Sequence, residues 1–95
     1  MQFLTVSRRR ETAEAPGGEL VRAEVRRAKE LYAEGVLRQL WHRADGPGAC
    51  LMWEAESESQ VWEFLKSLPF FQSGMIEASV IPIRPWAGFG PEKAT

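Results

Sequence analysis

The sequence predicts an α+β domain whose elements run βαββαβ, and three observations carry that expectation. One long segment, from Leu20 to Tyr32, has apolar residues at helical three-and-four spacing. A shorter segment, from Val61 to Leu68, repeats that spacing behind a Ser57/Gln60 capping signature. Four runs rich in β-branched and aromatic residues surround them, bounded by Gly, Pro and Asp clusters. Together they describe a ferredoxin-like split unit, an antiparallel four-stranded sheet with both helices on one face.

The elements follow in order. Gln2 to Ser7 reads as the first strand, through Phe3, Leu4, Thr5 and Val6. Arg8 to Gly18 reads as a loop that ends at Pro16-Gly17-Gly18. The first helix spans Glu19 to Glu34, with Leu20, Val21, Val25, Ala28, Leu31 and Tyr32 on one stripe. Gly35 ends it, because a left-handed residue there costs glycine little. Val36 to Arg43 is the second strand and Ala49 to Glu54 the third, joined by the turn Asp45-Gly46-Pro47-Gly48. Ser57 opens the second helix, Val61, Phe64, Leu65 and Leu68 form its stripe, and Pro69 stops it. Met75 to Ile83 is the fourth strand. Residues 1–84 thus form one domain. Residues 85–95, with Trp86 and Phe89 among glycines and prolines, form an irregular tail that docks on a neighbouring subunit or over a pocket mouth.

The strands are apolar on both sides. Ala49, Leu51 and Trp53 alternate with Cys50 and Met52, and Ile76, Ala78 and Val80 alternate with Met75, Ile81 and Ile83. Sheets of that kind are covered on both faces. Helices cover one face, and a second copy of the chain, sheet against sheet, is the natural cover for the other. The expectation is a dimeric α+β barrel, a homodimer or higher homo-oligomer. A 95-residue chain buries only about 60–65% of the surface its unfolded form exposes, so association helps it.

Composition narrows the function classes. A net charge of −1 leaves Arg8-Arg9-Arg10 without the extended basic footprint of a nucleic-acid binder, since Glu11, Glu14 and Glu19 follow closely. No apolar run reaches the roughly 18 residues of a membrane helix, and no secretory leader is evident. Cys50 is the only cysteine, which fits a reducing cytoplasm. A single His and a single Cys do not make a zinc cluster, and Gly17-Gly18 lacks the Lys-Ser/Thr of a phosphate loop. Neither a zinc site nor a phosphate-binding loop is expected.

Glu24 is the residue most informative about chemistry. It lies four residues after Leu20 and four before Ala28, on the apolar stripe of the first helix. A carboxylate there is paired, protonated or facing a cavity, because a lone buried charge is very costly. It is the candidate proton-transfer group, with a salt bridge to Arg22, Arg27 or a strand arginine as the plainer alternative. His42, the only histidine, has an ordinary pKa that suits acid–base work. Strand alternation puts Arg38 on the same side as His42, where both could hold a carboxylate or enolate oxygen. Arg84 closes the fourth strand and could clamp an anion. Tyr32, Trp41, Trp53 and Trp86 are the aromatic candidates for contact with a flat substrate, although aromatics at regular spacing mostly pack in cores.

Three segments resemble muconolactone isomerase and its relatives: Arg38-Gln39-Leu40-Trp41 after Glu34-Gly35, Leu68-Pro69-Phe70-Phe71, and the strand Met75–Ile83 followed by Arg84-Pro85. The resemblance spans residues 19 to 85. It implies the dimeric α+β barrel, proton transfer without metal or organic cofactor, and tails that help close neighbouring pockets. Glu24 matches an acidic position of that family, counted back from Gly35. Val25, His42 and Arg84 stand where the family carries lysine, arginine and histidine, positions able to touch a substrate. The function expected is therefore a small-molecule isomerase or cyclase, with Glu24 as acid and base, acting on a conjugated lactone, ketone or polyketide-like compound. The alternatives are a cofactor-free monooxygenase on an aromatic polyketide and a noncatalytic binding module.

Overall fold

The computed structural model describes residues 1–91. The elements are β1 (Gln2–Arg9), α1 (Gly18–Ala33), β2 (Leu37–His42), β3 (Ala49–Glu54), α2 (Glu58–Lys66), α3 (Pro69–Gln72) and β4 (Ile76–Ile83), followed by one 3-10 turn at Ala87–Phe89. The four strands form one sheet in the order β2-β3-β1-β4, with every pairing antiparallel. The expected βαββαβ order is present, with α3 as an addition. The last four residues of the tail, and with them part of the docking expectation, lie outside the described residues.

Local chemistry accounts for the element ends. Gly35, at φ +80°, terminates α1 in a Schellman motif: its N–H reaches Tyr32 O at 3.0 Å, and the Val36 N–H reaches Leu31 O at 3.2 Å. Ser57 caps α2 by accepting the Gln60 N–H at 3.2 Å. The Gln60 side chain returns to the Glu56 N–H at 2.8 Å, one residue earlier than in the standard box. Pro69 does more than stop a helix. It holds Leu68 in an extended conformation and takes the first position of α3, where its missing N–H costs nothing.

β1 runs two residues beyond the expected end. Arg8 pairs with Glu77 and Arg9 with Ile76 of β4, while the Arg9 N–H donates to Pro47 O across the β2–β3 hairpin at 3.1 Å. Partners on both sides override the poor strand signal of an arginine run. β2 departs from simple alternation. Leu37 faces Trp53 and Gln39 faces Met52, which leaves Arg38 as the extra residue of a β-bulge. The bulge lets Leu37 and Leu40, three apart, share one face.

The helices cover the face that carries Phe3, Thr5 and Ser7 of β1, Leu51 and Trp53 of β3, and Leu37 of β2. Leu31, Val61, Leu65 and Leu68 pack onto it. Trp53, expected among the substrate contacts, sits instead at the centre of this core with no exposed surface. Its indole N–H donates to the Thr5 hydroxyl at 2.9 Å, and its ring stacks on Phe64 at 5.7 Å. A buried Trp needs such a partner, and Thr5 directly across the next residue pair supplies it. The opposite face carries Leu4, Val6, Trp41, Cys50, Met52, Ile81 and Ile83 by the observed register, and none of the α-helices among the described residues covers it. Trp41 and Ile81 there remain 45% and 44% exposed.

Candidate active site

α1 does not lie flat on the sheet. Leu31, near its C-terminal end, is fully buried, whereas Val21 and Val25 of the same stripe stay 38% and 46% exposed. The space beneath them is a cavity of about 460 Å³. Its roof is α1, through Val21, Glu24, Val25 and Ala28. Its floor is the sheet, through Thr5, Ser7, Leu40, His42, Ala49 and Leu51. Leu65, Leu68, Phe70 and Met75 close one side, and Pro16, Pro47 and Gly48 flank another. The lining is mainly apolar, as small-molecule sites are.

Glu24 is half-buried in this wall. Its Oε1 accepts the Phe70 N–H at 2.9 Å. That donor is an orphan of the first turn of α3, and the cap residue Leu68 has no side chain to satisfy it. Glu24 serves as the cap from another helix, 46 positions away in the chain. Its second oxygen makes no hydrogen bond among the described residues. No buried side-chain polar atom among the described residues lacks one, so Oε2 reaches accessible space. Burial pushes the Glu24 carboxyl above its ordinary value of 4.5, and the Phe70 hydrogen bond opposes that rise only in part.

His42 ends β2 on the helix-facing side, opposite Ala49, and lines the same cavity across from α1. The hairpin beside it is held by Arg43, whose guanidinium forks onto Asp45 at 2.9 and 2.8 Å. Arg43 also holds the Asp45 carboxyl below its usual range. The hydroxyls on the floor are engaged structurally. Ser7 Oγ donates to Ala49 O at 3.3 Å and accepts the Ala49 N–H at 3.2 Å, while Thr5 holds the Trp53 indole. Neither hydroxyl is hydrogen-bonded to a His, Asp or Glu side chain among the described residues, the activation a nucleophile needs.

The other sequence candidates lie elsewhere. The bulge turns Arg38 out of alternation with His42, and its guanidinium donates to Gly35 O at 3.2 Å. Tyr32, on the far end of α1, is 66% exposed, and Trp41 lies on the uncovered sheet face. Arg84 and Trp86 line a separate hollow with Pro85 and Ala87, where Trp86 stands edge-on to Phe89 at 4.7 Å. The structure therefore brings Glu24 and His42 to one cavity and leaves the remaining six apart from it. It adds one charged group that the sequence reading placed in a loop. Arg9 lines the cavity, on the same side of β1 as Phe3, Thr5 and Ser7. That odd-numbered alternation, extended two residues, is the signal that points to it. Among the described residues no cluster of His, Cys, Asp and Glu could hold a metal ion, and no helix is long and apolar enough to cross a membrane.

A sequence profile of the muconolactone delta-isomerases matches residues 1–87, which takes in every strand, every α-helix and the whole cavity. The chain belongs to the muconolactone delta-isomerase family. Two solved structures share its fold. A muconolactone isomerase matches with a TM-score of 0.76 and 20% identity, over 98% of each chain. A 5-chloro-2-hydroxyhydroquinone dehydrochlorinase from Burkholderia phenoliruptrix AC1100, in complex with 2,5-dihydroxybenzoquinone, matches with a TM-score of 0.72 and 21% identity, over 93% of this chain and 98% of that one. At such identities the likeness is one of fold. No curated protein sequence matches the chain. Membership of the muconolactone delta-isomerase family supports an enzyme that acts on a small molecule.

Proposed function

We propose that this protein is an isomerase or cyclase that moves a proton on a small conjugated lactone, ketone or polyketide-like compound, with Glu24 as base and then as acid and no metal or organic cofactor. The observation that carries the reading is the state of Glu24. It is tethered through one oxygen to Phe70, its other oxygen makes no hydrogen bond among the described residues, and it lies in an apolar wall that raises its pKa. Each feature suits proton transfer. The tether fixes the carboxylate's direction, and the raised pKa strengthens it as a base.

In the proposed reaction Glu24 removes a proton from the carbon next to a carbonyl. The electron pair moves onto the carbonyl oxygen as an enolate, which a donor on the opposite wall stabilises, and His42 is the imidazole available there. The same carboxyl, now protonated, returns the proton to a different carbon of the conjugated system. No oxidant or reductant enters, and atoms balance. A dehydrochlorination would start with the same step, with the electron pair expelling chloride instead. The shared fold with a dehydrochlorinase makes elimination the second reading.

The functional unit in this reading is an assembly. A second copy covers the apolar face of Leu4, Trp41, Met52 and Ile81, and the Trp86–Phe89 segment docks on a neighbour or over a cavity mouth. The single half-buried cysteine is compatible with a reducing cytoplasm.

The test is isotope exchange. Incubated with an unsaturated lactone in heavy water, the protein should incorporate deuterium at the exchanging carbon, followed by NMR. Glu24→Gln keeps the acceptor for Phe70 but has no basic oxygen, and should slow exchange by at least about a hundredfold. Exchange at the original rate, with the fold intact by circular dichroism, removes Glu24 from the mechanism.

A further inference from the structure

We infer that Arg27, acting through Ser67, is a positioning residue for Glu24: the pair locks the corner between α2 and α3 onto α1 and so keeps the Phe70 N–H on the Glu24 carboxylate. This rests on the reading of Glu24 as the acid–base group and adds what aims it.

Two hydrogen bonds tie α1 to that corner, like the rungs of a short ladder. Glu24 Oε1 accepts the Phe70 N–H at 2.9 Å, and Arg27 Nε donates to Ser67 Oγ at 3.0 Å. On α1 the two side chains are three residues apart, nearly one turn, and so lie on one face. Their partners, Ser67 and Phe70, are also three residues apart and bracket the corner, which is made by the buried Leu68 and the helix-starting Pro69. Both ends of the Arg27 rung are fixed. Ser67 Oγ gives its one proton to Phe64 O at 2.6 Å, so toward Arg27 it can only accept. Arg27 Nη1 donates to Glu30 Oε1 at 3.1 Å, which sets the plane of the guanidinium. Among the described residues Arg27 forms no ion pair with Glu24, the plainer role the sequence allowed it.

The rung matters because α3 cannot place its own donor. α3 runs only from Pro69 to Gln72, too short to be stable by itself. Leu68 anchors the corner by apolar burial, which is strong but sets no direction. The Arg27–Ser67 bond is directional and acts one residue before that anchor. Without it the core stays packed while the corner gains angular play, and the Phe70–Glu24 bond takes up that play. Direct charge is not the link. Burial and the Phe70 bond set the Glu24 carboxyl, and Arg27 is not among the causes. Nor are Arg9 of β1 and His42 of β2, the other titratable groups lining the cavity, and α3 carries no charged residue. The Phe70 bond favours the ionised carboxylate, so loosening it pushes the Glu24 pKa further up.

Two variants test this. Ser67→Ala removes the acceptor and keeps the arginine's charge, and Arg27→Met removes the donor and keeps the apolar stem. Both should fold by circular dichroism, and Ser67→Ala, the milder change, decides the matter if Arg27→Met does not. Both should speed hydrogen exchange at the Phe70 amide by about tenfold or more, read by NMR. Both should also move the Glu24 carboxyl titration upward, read by carbon-13 NMR with Glu24→Gln giving the assignment. In the isotope-exchange assay both should lower kcat by about tenfold or more with KM near the wild-type value, the mark of a misaimed base rather than a damaged pocket. The double variant should be no worse than either single one. Wild-type Phe70 exchange and Glu24 titration in Ser67→Ala overturns the proposal, and so does an effect confined to a folded Arg27→Met, which would be one of charge. The NMR readouts need no turnover. Shifts in both of them alongside normal turnover by Glu24→Gln would overturn the acid–base reading and leave the tether standing.

Discussion

Glu24 serves the structure and, in the proposed reaction, the chemistry as well. Its Oε1 caps α3, and its Oε2 makes no hydrogen bond among the described residues. Its raised pKa has a consequence for stability. The folded protein holds the Glu24 proton more tightly than the unfolded chain does, so this group favours folding below the unfolded value of 4.5. That contribution is lost as pH rises through the folded pKa. Glu24→Gln carries no such loss. It should be at least as stable as the wild-type chain at pH 7, with the difference shrinking as pH falls toward 4. Thermal melts across that range check the sign, and a difference that grows on acidification refutes it. In catalysis the acid limb of the pH–rate profile should lie above the ordinary carboxylate range. Glu24 was legible in the sequence because a polar residue interrupted an apolar stripe, and His42 because it is the only histidine. Arg9 was not, because its neighbours Arg8 and Arg10 make it look like one of a surface run.

Among the elements, the β2–β3 hairpin decides where the site's floor lies. Gly48 sits at φ +154°, and a methyl group on it would collide with the backbone oxygen of Ser7. The close approach lets the hairpin grip the end of β1, where Pro47 O holds Arg9 and Gly48 O accepts the Arg43 N–H at 3.0 Å. Gly48→Ala should cost about 2 kcal/mol through backbone strain and displacement of Ser7. That corresponds to a fall in Tm on the order of 10 °C for a domain of this size. An unchanged Tm would show that the hairpin yields freely. The element order, the Gly35 stop and the Ser57 cap were readable from local chemistry. The β1 extension and the Arg38 bulge were not, since both arise from hydrogen-bond partners far away in sequence. The α1 stripe was readable as apolar, but its spacing does not distinguish a packed face from a cavity roof.

At the scale of the whole molecule, the helix-free sheet face is the unresolved demand of the sequence. Met52, Leu4 and Ile81 form an apolar row across it, with Gln39 at the β2 edge and Trp41, Cys50 and Val6 in the row beside it. A contiguous apolar surface of that kind marks an interaction site. Met52→Glu should shift the protein from dimer or larger toward monomer in light scattering, and deletion of residues 85–95 should weaken assembly or open the cavity. A wild-type protein that is monomeric at micromolar concentration would overturn the sheet-against-sheet reading. The aromatic wealth of the chain divides along the same line. Trp53 belongs to the core, Trp41 to the uncovered face and Trp86 to the exposed tail, so one residue type serves three environments.

The sequence alone determined the α+β class, the order of the elements, the two-sided apolar character of the sheet and the presence of one misplaced carboxylate. These follow from periodicity, caps and turn residues, which act over a few positions. The tertiary structure decided that α1 stands off the sheet over a cavity, that Glu24 is tethered to α3 beside it, that Trp53 is core and that Arg9, not Arg38, lines that cavity. Those outcomes depend on strand pairing, a bulge and packing between residues tens of positions apart, contacts that no local pattern encodes.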